Sequence, residues 1–204
     1  LATSVATAAA QSDIMYATAA NALSRLAKGG ARSQLVMNAG ATAPEWLQNI
    51  QDVVTAETEI VSSAAETTLL TYSVPAATLG TNNLLMFEAW CSYLNNSGSS
   101  DTFTLRLKYG ATTMVTLTRA YGAASSRKVH LLKGYLKGDG ATNAQELMVH
   151  WIAGTGSSPT DDAGEGTAAE DSTLAKNFVI TGDHTASAAC GLMRRRSAQS
   201  VRGT

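Results

Sequence analysis

The sequence predicts an all-β protein: an antiparallel, jelly-roll-like β-sandwich head over residues 58–204, preceded by an extended N-terminal stem over residues 1–57. Three observations predict it. From residue 58 onward apolar and polar side chains alternate with period two, the mark of strands with one face in water. No amphipathic stretch of about 10 to 15 residues separates successive strands, and the crossovers of a parallel α/β sheet need such connections. Aromatic residues make up only 6% and glycine fills 17 positions, with Ser, Thr and Ala abundant, a balance that suits thin side-chain layers joined by many turns.

Residues 1–11, LATSVATAAAQ, have no periodicity that separates helix from coil and read as an extended or short helical lead-in. The next stretch, Ser12 to Leu47, fits neither a helix nor an ordinary strand. Its apolar residues come in short groups (Ile14 and Met15, Leu23 and Leu26, Leu35 to Met37, Trp46 and Leu47) set between Gly, Asn, Ala and Thr, so each local element buries one or two side chains. Gly29-Gly30 and Asn38-Ala39-Gly40 punctuate it, and Pro44 holds Ala43 extended. Such a segment has no core of its own. Fixing each residue costs roughly 1 to 2 kcal/mol of backbone entropy, so its order requires other chains or another domain over the apolar positions, a copy of the same chain first of all. Ile14, Tyr16, Leu23, Leu26, Leu35, Met37 and Trp46 are the candidate oligomerisation residues of an intertwined stem. Residues 48–57, QNIQDVVTAE, allow one or two helical turns with Ile50, Val53 and Val54 on one face, a neck before the head.

Within the head, Thr102 to Tyr109 is the clearest strand: Phe103, Leu105, Leu107 and Tyr109 point one way, Thr104, Arg106 and Lys108 the other. Gly110 breaks it, and Thr112 to Leu117 follows at hairpin distance, which places a tight turn between Lys108 and Thr113. Leu147, Val149 and Trp151 alternate with Met148 and His150 in the same manner. Further strands are expected at 58–62, 67–74, 83–94, 127–137, 173–181 and 187–196. Strands spaced by roughly 10 to 20 residues, with Gly, Asn and Ser between them, favour a sandwich or jelly roll. Gly154 to Ser172, GTGSSPTDDAGEGTAAEDS, has no apolar anchor larger than Ala and reads as an exposed loop.

Charge and composition narrow the function. Charged residues are 15% of the chain and the formal net charge is -1, which leaves no broad electrostatic footprint for a nucleic acid or an anionic membrane. Nothing approaches the roughly 18 consecutive apolar residues of a membrane span, and no basic start with an apolar core suggests a signal peptide, so a soluble chain without membrane insertion is expected. The start at Leu1 rather than Met suggests processing or residues upstream. Cys91 and Cys190 sit on apolar, strand-like runs and read as buried free thiols; a disulfide between them would need facing strands with Cα atoms within about 7 Å.

Residues with chemistry do not converge into a catalytic or metal site, and no cofactor is expected. Asp161, Asp162, Glu165, Glu170 and Asp171 offer the oxygen ligands a hard cation needs, but without the D-x-D-x-D-G order of a calcium loop they read as a solvated loop. His130, His150 and His184 lie on different strands, with no pair at ligand spacing. Neither a G-x-S-x-G elbow nor a phosphate loop is present. Arg194, Arg195 and Arg196, joined by Arg202, form the basic run; in a final strand they alternate faces, which suits an edge strand or ion pairs between subunits, with a solvated tail and binding to an anionic glycan or nucleic acid as the alternatives. Trp90 and Trp151 read as core, while an exposed ring among Tyr93, Tyr121 and Tyr135 would offer a platform for a sugar.

The order D-I-M-Y-A-T-A-A-N-A-L-S-R-L-A-K-G, followed by S-Q-L-V-M-N-A-G-A-T-A-P-E-W, resembles the stem segment of many tailed-bacteriophage fibre proteins, whose pattern reads G-D-I-L-Y-A, N-x-L-x-R-L-x-x-G, Q-V-L, a short turn and P-x-W. Ser12 stands where Gly is usual, and Leu35-Val36 replaces Val-Leu. The resemblance implies a non-enzymatic structural protein on the phage virion surface, a homotrimer whose three chains wind or stack through the stem. As a tail fibre or spike, its head contacts a host surface glycan or protein, strengthened by presenting three weak sites together. As a capsid decoration or head fibre, its stem docks onto the shell; other virion proteins are partners in either case. From a different class, a carbohydrate-processing enzyme using the acidic loop would require a deep cleft and carboxylates at fixed separation. An unrelated bacterial β-sandwich adhesin also fits the composition.

Overall fold

A computed structural model of the chain describes residues 13–19, 22–29, 33–38, 41–48, 58–61, 64–95, 97–123, 128–153, 162–185 and 189–201, the last of these as backbone. The chain divides into two compact units, residues 1–51 and 52–203. No helix occurs among the described residues. The lead-in over residues 1–11 and positions 49–57 of the expected neck lie outside them.

Among the described residues the first unit holds four short strands, β1 (Ile14–Ala19), β2 (Ala22–Leu26), β3 (Ser33–Met37) and β4 (Pro44–Gln48), paired as two antiparallel hairpins, β1 with β2 and β3 with β4. This corrects the expectation that Ser12 to Leu47 contains no ordinary strand. The strands run only five or six residues, and their apolar residues fall side by side, as in Ile14-Met15, Leu35 to Met37 and Trp46-Leu47, so no period two is displayed. Local polar contacts close each hairpin: Asp13 accepts the Lys28 backbone N–H at 2.9 Å and lies 3.4 Å from the Arg25 guanidinium, and Asn38 Oδ1 accepts the Thr42 N–H at 2.9 Å.

Among the described residues the second unit contains ten strands: β5 (Thr58–Val61), β6 (Thr67–Val74), β7 (Leu84–Tyr93), β8 (Asp101–Tyr109), β9 (Thr112–Tyr121), β10 (Lys128–Gly138), β11 (Gln145–Ala153), β12 (Asp162–Ala168), β13 (Lys176–His184) and β14 (Ala189–Val201). They form two antiparallel sheets, one ordered β12-β11-β10-β7-β14-β5 and the other β6-β13-β8-β9. Four pairings are nested in sequence: β5 with β14, β6 with β13, β7 with β10, and β8 with β9. One long hairpin folded over on itself gives that nesting, with its arms dealt alternately to two sheets, which is jelly-roll connectivity. A meander of β11 and β12 then widens one sheet at the β10 edge. The turn expected between Lys108 and Thr113 is present as Gly110-Ala111, with Gly110 at φ 59°, a left-handed backbone that glycine adopts freely.

Strand β12 corrects the second expectation, since Gly154 to Ser172 is not all loop. In Asp162–Ala168 the alternate positions turned toward β9 are glycines, so no large apolar residue is there to announce a strand. A Cβ built on Gly166 would stand 1.9 Å from the Met114 carbonyl oxygen, and one on Gly164 would stand 2.4 Å from Val115 Cγ1. Backbone therefore packs on backbone, and β12 joins the free edge of its sheet to β9 of the other. Glu170 is held rather than solvated: it accepts the Ala111 N–H at 2.8 Å and the Thr112 hydroxyl at 3.0 Å, and pairs with Lys176 at 2.9 Å. The Lys176 ammonium keeps its carboxyl below the ordinary range.

The core lies between the sheets. Leu85, Phe87, Leu132, Leu136, Leu147 and Trp151 from one meet Leu105, Leu107, Tyr109, Leu117, Phe178 and Ile180 from the other, and each such side chain contributes about 1.5 to 3 kcal/mol on burial. Phe87 and Phe178 pack across the interface, tilted by 44° with centroids 4.8 Å apart. Cys91 is a buried free thiol, raised to about 12 by loss of solvent, whereas the side chain of Cys190 lies outside the described residues.

His130 points into this core. Its Nε2 lies 3.3 Å from the Tyr121 hydroxyl, and its Nδ1 has no hydrogen-bond partner among the described residues. Burial, with Arg119 and Lys128 nearby, pushes its pKa down from 6.5 to about 4. Because the fold disfavours the charged ring, the unfolded chain takes up its proton first as pH falls. Stability is full above pH 6.5 and declines between 6.5 and 4, by roughly 3 kcal/mol in all. We expect His130→Phe to remove this component, so that urea midpoints measured from pH 7 to pH 4 fall less than in the native chain; parallel pH profiles would refute it.

Candidate functional site

Two surfaces carry residues able to bind a partner. On the first unit, Leu23, Leu35 and Met37 are 59%, 47% and 55% exposed, unusually high for large apolar side chains on paired strands. The register sets Leu35 opposite Trp46 and Met37 opposite Pro44, hence on one face of the second hairpin. Ile14 lies opposite Leu26, and these two, with Tyr16, are half-buried. Trp46 is engaged within the unit: its indole N–H donates to the Ala27 carbonyl at 2.6 Å, and its ring lies where a side chain on Gly29 would be.

The outer faces of the two sheets of the second unit differ in chemistry. On the four-stranded sheet, Arg106 pairs with Asp183 and lies 3.8 Å from Glu66, which also pairs with Lys108 and accepts the Thr181 hydroxyl at 2.6 Å. The Lys108 hydrogen bond, first among these contacts, holds the Glu66 carboxyl below its ordinary range. That face is polar and satisfied by its own partners.

The outer face of the six-stranded sheet carries apolar side chains in water instead. Across β7, β10, β11 and β12 the register aligns three rows: Trp90, Leu131 and Ile152; then Glu88, Lys133, His150 and Ala163; then Met86, Tyr135, Met148 and Glu165. Successive rows are two residues apart along each strand, about 6.6 Å. Met86, Trp90 and Met148 are 44%, 40% and 39% exposed. A groove of about 600 Å³ runs over the second and third rows. Lys137 and Glu146, paired at 2.6 Å, stand beyond the third row.

The exposed Trp90 ring and the half-buried Tyr135 ring of this face are oriented by hydrogen bonds. The Trp90 indole N–H donates to Glu88 Oε1 at 2.8 Å, so the indole leans along β7 toward the charged row. The Tyr135 hydroxyl donates to the sulfur of Met148, its register partner on β11, so the phenol ring lies across the sheet rather than standing out of it. Trp151 is fully buried, as expected, but Trp90 is not a core residue. Of the tyrosines, Tyr93 is buried, Tyr121 is half-buried against His130, and Tyr135 lines the groove.

A signal for the phase of β7 is present in the sequence. In LLMFEAWCSY both alternating sets are apolar, yet Glu88 has to face water, and that places Met86 and Trp90 outside with it. Lys133 does the same for Leu131 and Tyr135 on β10.

Among the described residues no group of three metal-ligating side chains occurs. Asp171 binds the Thr173 N–H and hydroxyl, at 3.0 and 2.6 Å, while Asp161 lies outside the described residues. The backbone register sets Arg194 opposite Trp90 and Arg196 opposite Glu88; the side chains of the arginine run, and Arg202, lie outside the described residues.

No protein-family model matches the sequence, and no curated protein gives a significant match. Among solved structures, the chain is similar to the CBM2 module of Lactobacillus casei BL23 phage J-1 evolved Dit, with 11% identity and a TM-score of 0.34 over 66% of this chain and 69% of that one. It is also similar to chains of infectious bursal disease virus, Gx strain (8% identity, TM-score 0.29) and Gt strain (10%, 0.28). The chain spans 46% of the length of each of those two. Likeness at this level says nothing of function.

Proposed function

We propose that the chain is a non-enzymatic structural protein of a bacteriophage virion, a tail fibre or spike in which the first unit joins three copies and the jelly-roll head contacts the host surface. The observation that carries this reading is the exposure of Leu23, Leu35 and Met37 on hairpins too small to bury them. Apolar area left in water at about 25 cal/mol per Å² favours association with further copies. The stem resemblance adds the phage setting and the number three. The contrast between the two outer faces of the head adds a surface for contact outward.

Light scattering on the native chain should give the mass of a trimer, and the combined variant Leu23→Ser, Leu35→Ser, Met37→Ser should give a monomer with an unchanged head unfolding transition. A native monomer, or a variant that stays trimeric, overturns the assembly. Antibody labelling of whole virions fixes the place. Label confined to the tail is expected; label over the capsid would make the protein a shell decoration.

A further inference from the structure

We infer that the groove on the outer face of the six-stranded sheet is a carbohydrate site that takes the pyranose rings of a neutral glycan. This rests on reading the head as the unit that contacts the host. A pyranose has an apolar face of C–H groups and a rim of hydroxyls, so a site for it needs a flat aromatic or thioether surface with hydrogen-bonding groups alongside. The rows provide that order: Trp90 on one side, Met86, Tyr135 and Met148 on the other, and Glu88 with Lys133 between them. Glu88 supplies acceptors and Lys133 donors, both within the width of one row of the sheet.

The two rings are already held. Trp90 is bound to Glu88 and Tyr135 to Met148, so neither loses much rotamer freedom when a ring stacks on it. Charge decides between glycan classes. Among the described side chains of β7, β10, β11 and β12, Glu88 and Glu165 stand against Lys133, and Lys137 is taken up by Glu146, so these four strands offer no cationic cluster to an anionic sugar. A flat apolar partner protein would have to bury Glu88 and Lys133 in the middle of its interface, which costs more than leaving them beside sugar hydroxyls.

The test is a printed array of neutral and acidic bacterial glycans, probed with the fluorescently labelled full chain so that several weak sites engage together. The best neutral oligosaccharide is then titrated against tryptophan fluorescence. Neutral glycans are expected to bind and to change the emission of Trp90, with affinity falling at least tenfold in Trp90→Ala and in Tyr135→Ala. Both variants should keep the native melting temperature and mass; for a variant that does not, the milder Trp90→Phe or Tyr135→Phe replaces it. No binding to any neutral glycan, binding to acidic glycans alone, or undiminished binding in both variants overturns the inference. A drop in mass on Trp90→Ala would assign the face to a second copy and overturn it as well. Virion labelling is read separately: glycan binding with no label on the particle refutes the virion reading, and label without glycan binding refutes this site.

Discussion

Gly166→Val is expected to destabilise the head by roughly 3 to 5 kcal/mol and to lower its melting temperature by on the order of 10 °C. The cause is a collision that no rotamer relieves. A Cβ at this position meets the Met114 carbonyl oxygen at 1.9 Å and its carbon at 2.6 Å, so β12 would have to lift away from β9. Gly164 makes the comparison, because its nearest neighbour is Val115 Cγ1 at 2.4 Å, the end of a side chain that can turn. Gly164→Ala should therefore cost only about 1 to 2 kcal/mol. Melting followed through the buried Trp151 separates the two variants. If Gly166→Val melts with the native chain, β12 does not close the sandwich in solution. The consequence reaches the groove, since Ala163 lines it and Glu165 extends its third row, both from β12.

The strands that reason from sequence finds are those whose burial is one-sided. β8 is the clearest, because Phe103, Leu105, Leu107 and Tyr109 are all buried while Arg106 and Lys108 are not, and β6 matches the expected 67–74 residue for residue. Two kinds of strand escape that signal. In β12 the inner positions are glycines, chosen for close approach of two backbones, so the strand has no hydrophobic period at all. In β1 to β4 the pairs are short and the apolar residues stand next to one another, as in Ile14-Met15 and Leu35 to Met37, so no alternation develops. The binding face escapes for the opposite reason: β7 is apolar on both sides, and one charged residue, Glu88, sets its phase. Reading Trp90 as core ignores the cost of burying that carboxylate. Which strands neighbour one another was open to topology rules only in outline, because the nesting of β5 with β14 joins segments from opposite ends of the head.

Asp101→Ala should cost about 3 to 5 kcal/mol, and Asp101→Asn distinctly less. Asp101 opens β8 and is 1% exposed, yet its carboxylate is surrounded by donors. Oδ2 accepts the Tyr93 hydroxyl at 2.7 Å and lies 3.0 Å from His184 Nδ1; Oδ1 accepts the Thr185 N–H at 3.1 Å and its hydroxyl at 3.0 Å. Tyr93 ends β7 in one sheet, while Asp101 and His184 belong to β8 and β13 in the other. One buried carboxylate thus ties three strand ends and both sheets together. Alanine takes this acceptor from the buried Tyr93 hydroxyl and His184 ring, whereas the exposed Thr185 keeps the Thr102 carbonyl for its N–H at 3.0 Å, so the penalty falls on the buried pair. Asparagine keeps one oxygen of the same shape in the same place. It still accepts from Thr185, and its NH₂ group replaces the acceptor that faced Tyr93 and His184, so part of the network survives. Urea midpoints of the two variants decide the matter: alanine far below asparagine is the expected order. Equal losses would mean that the charge rather than the hydrogen bonding holds the strand ends. Two native-like midpoints would mean that the aromatic packing of Tyr93 and Phe103, 5.6 Å apart between centroids, holds them without it.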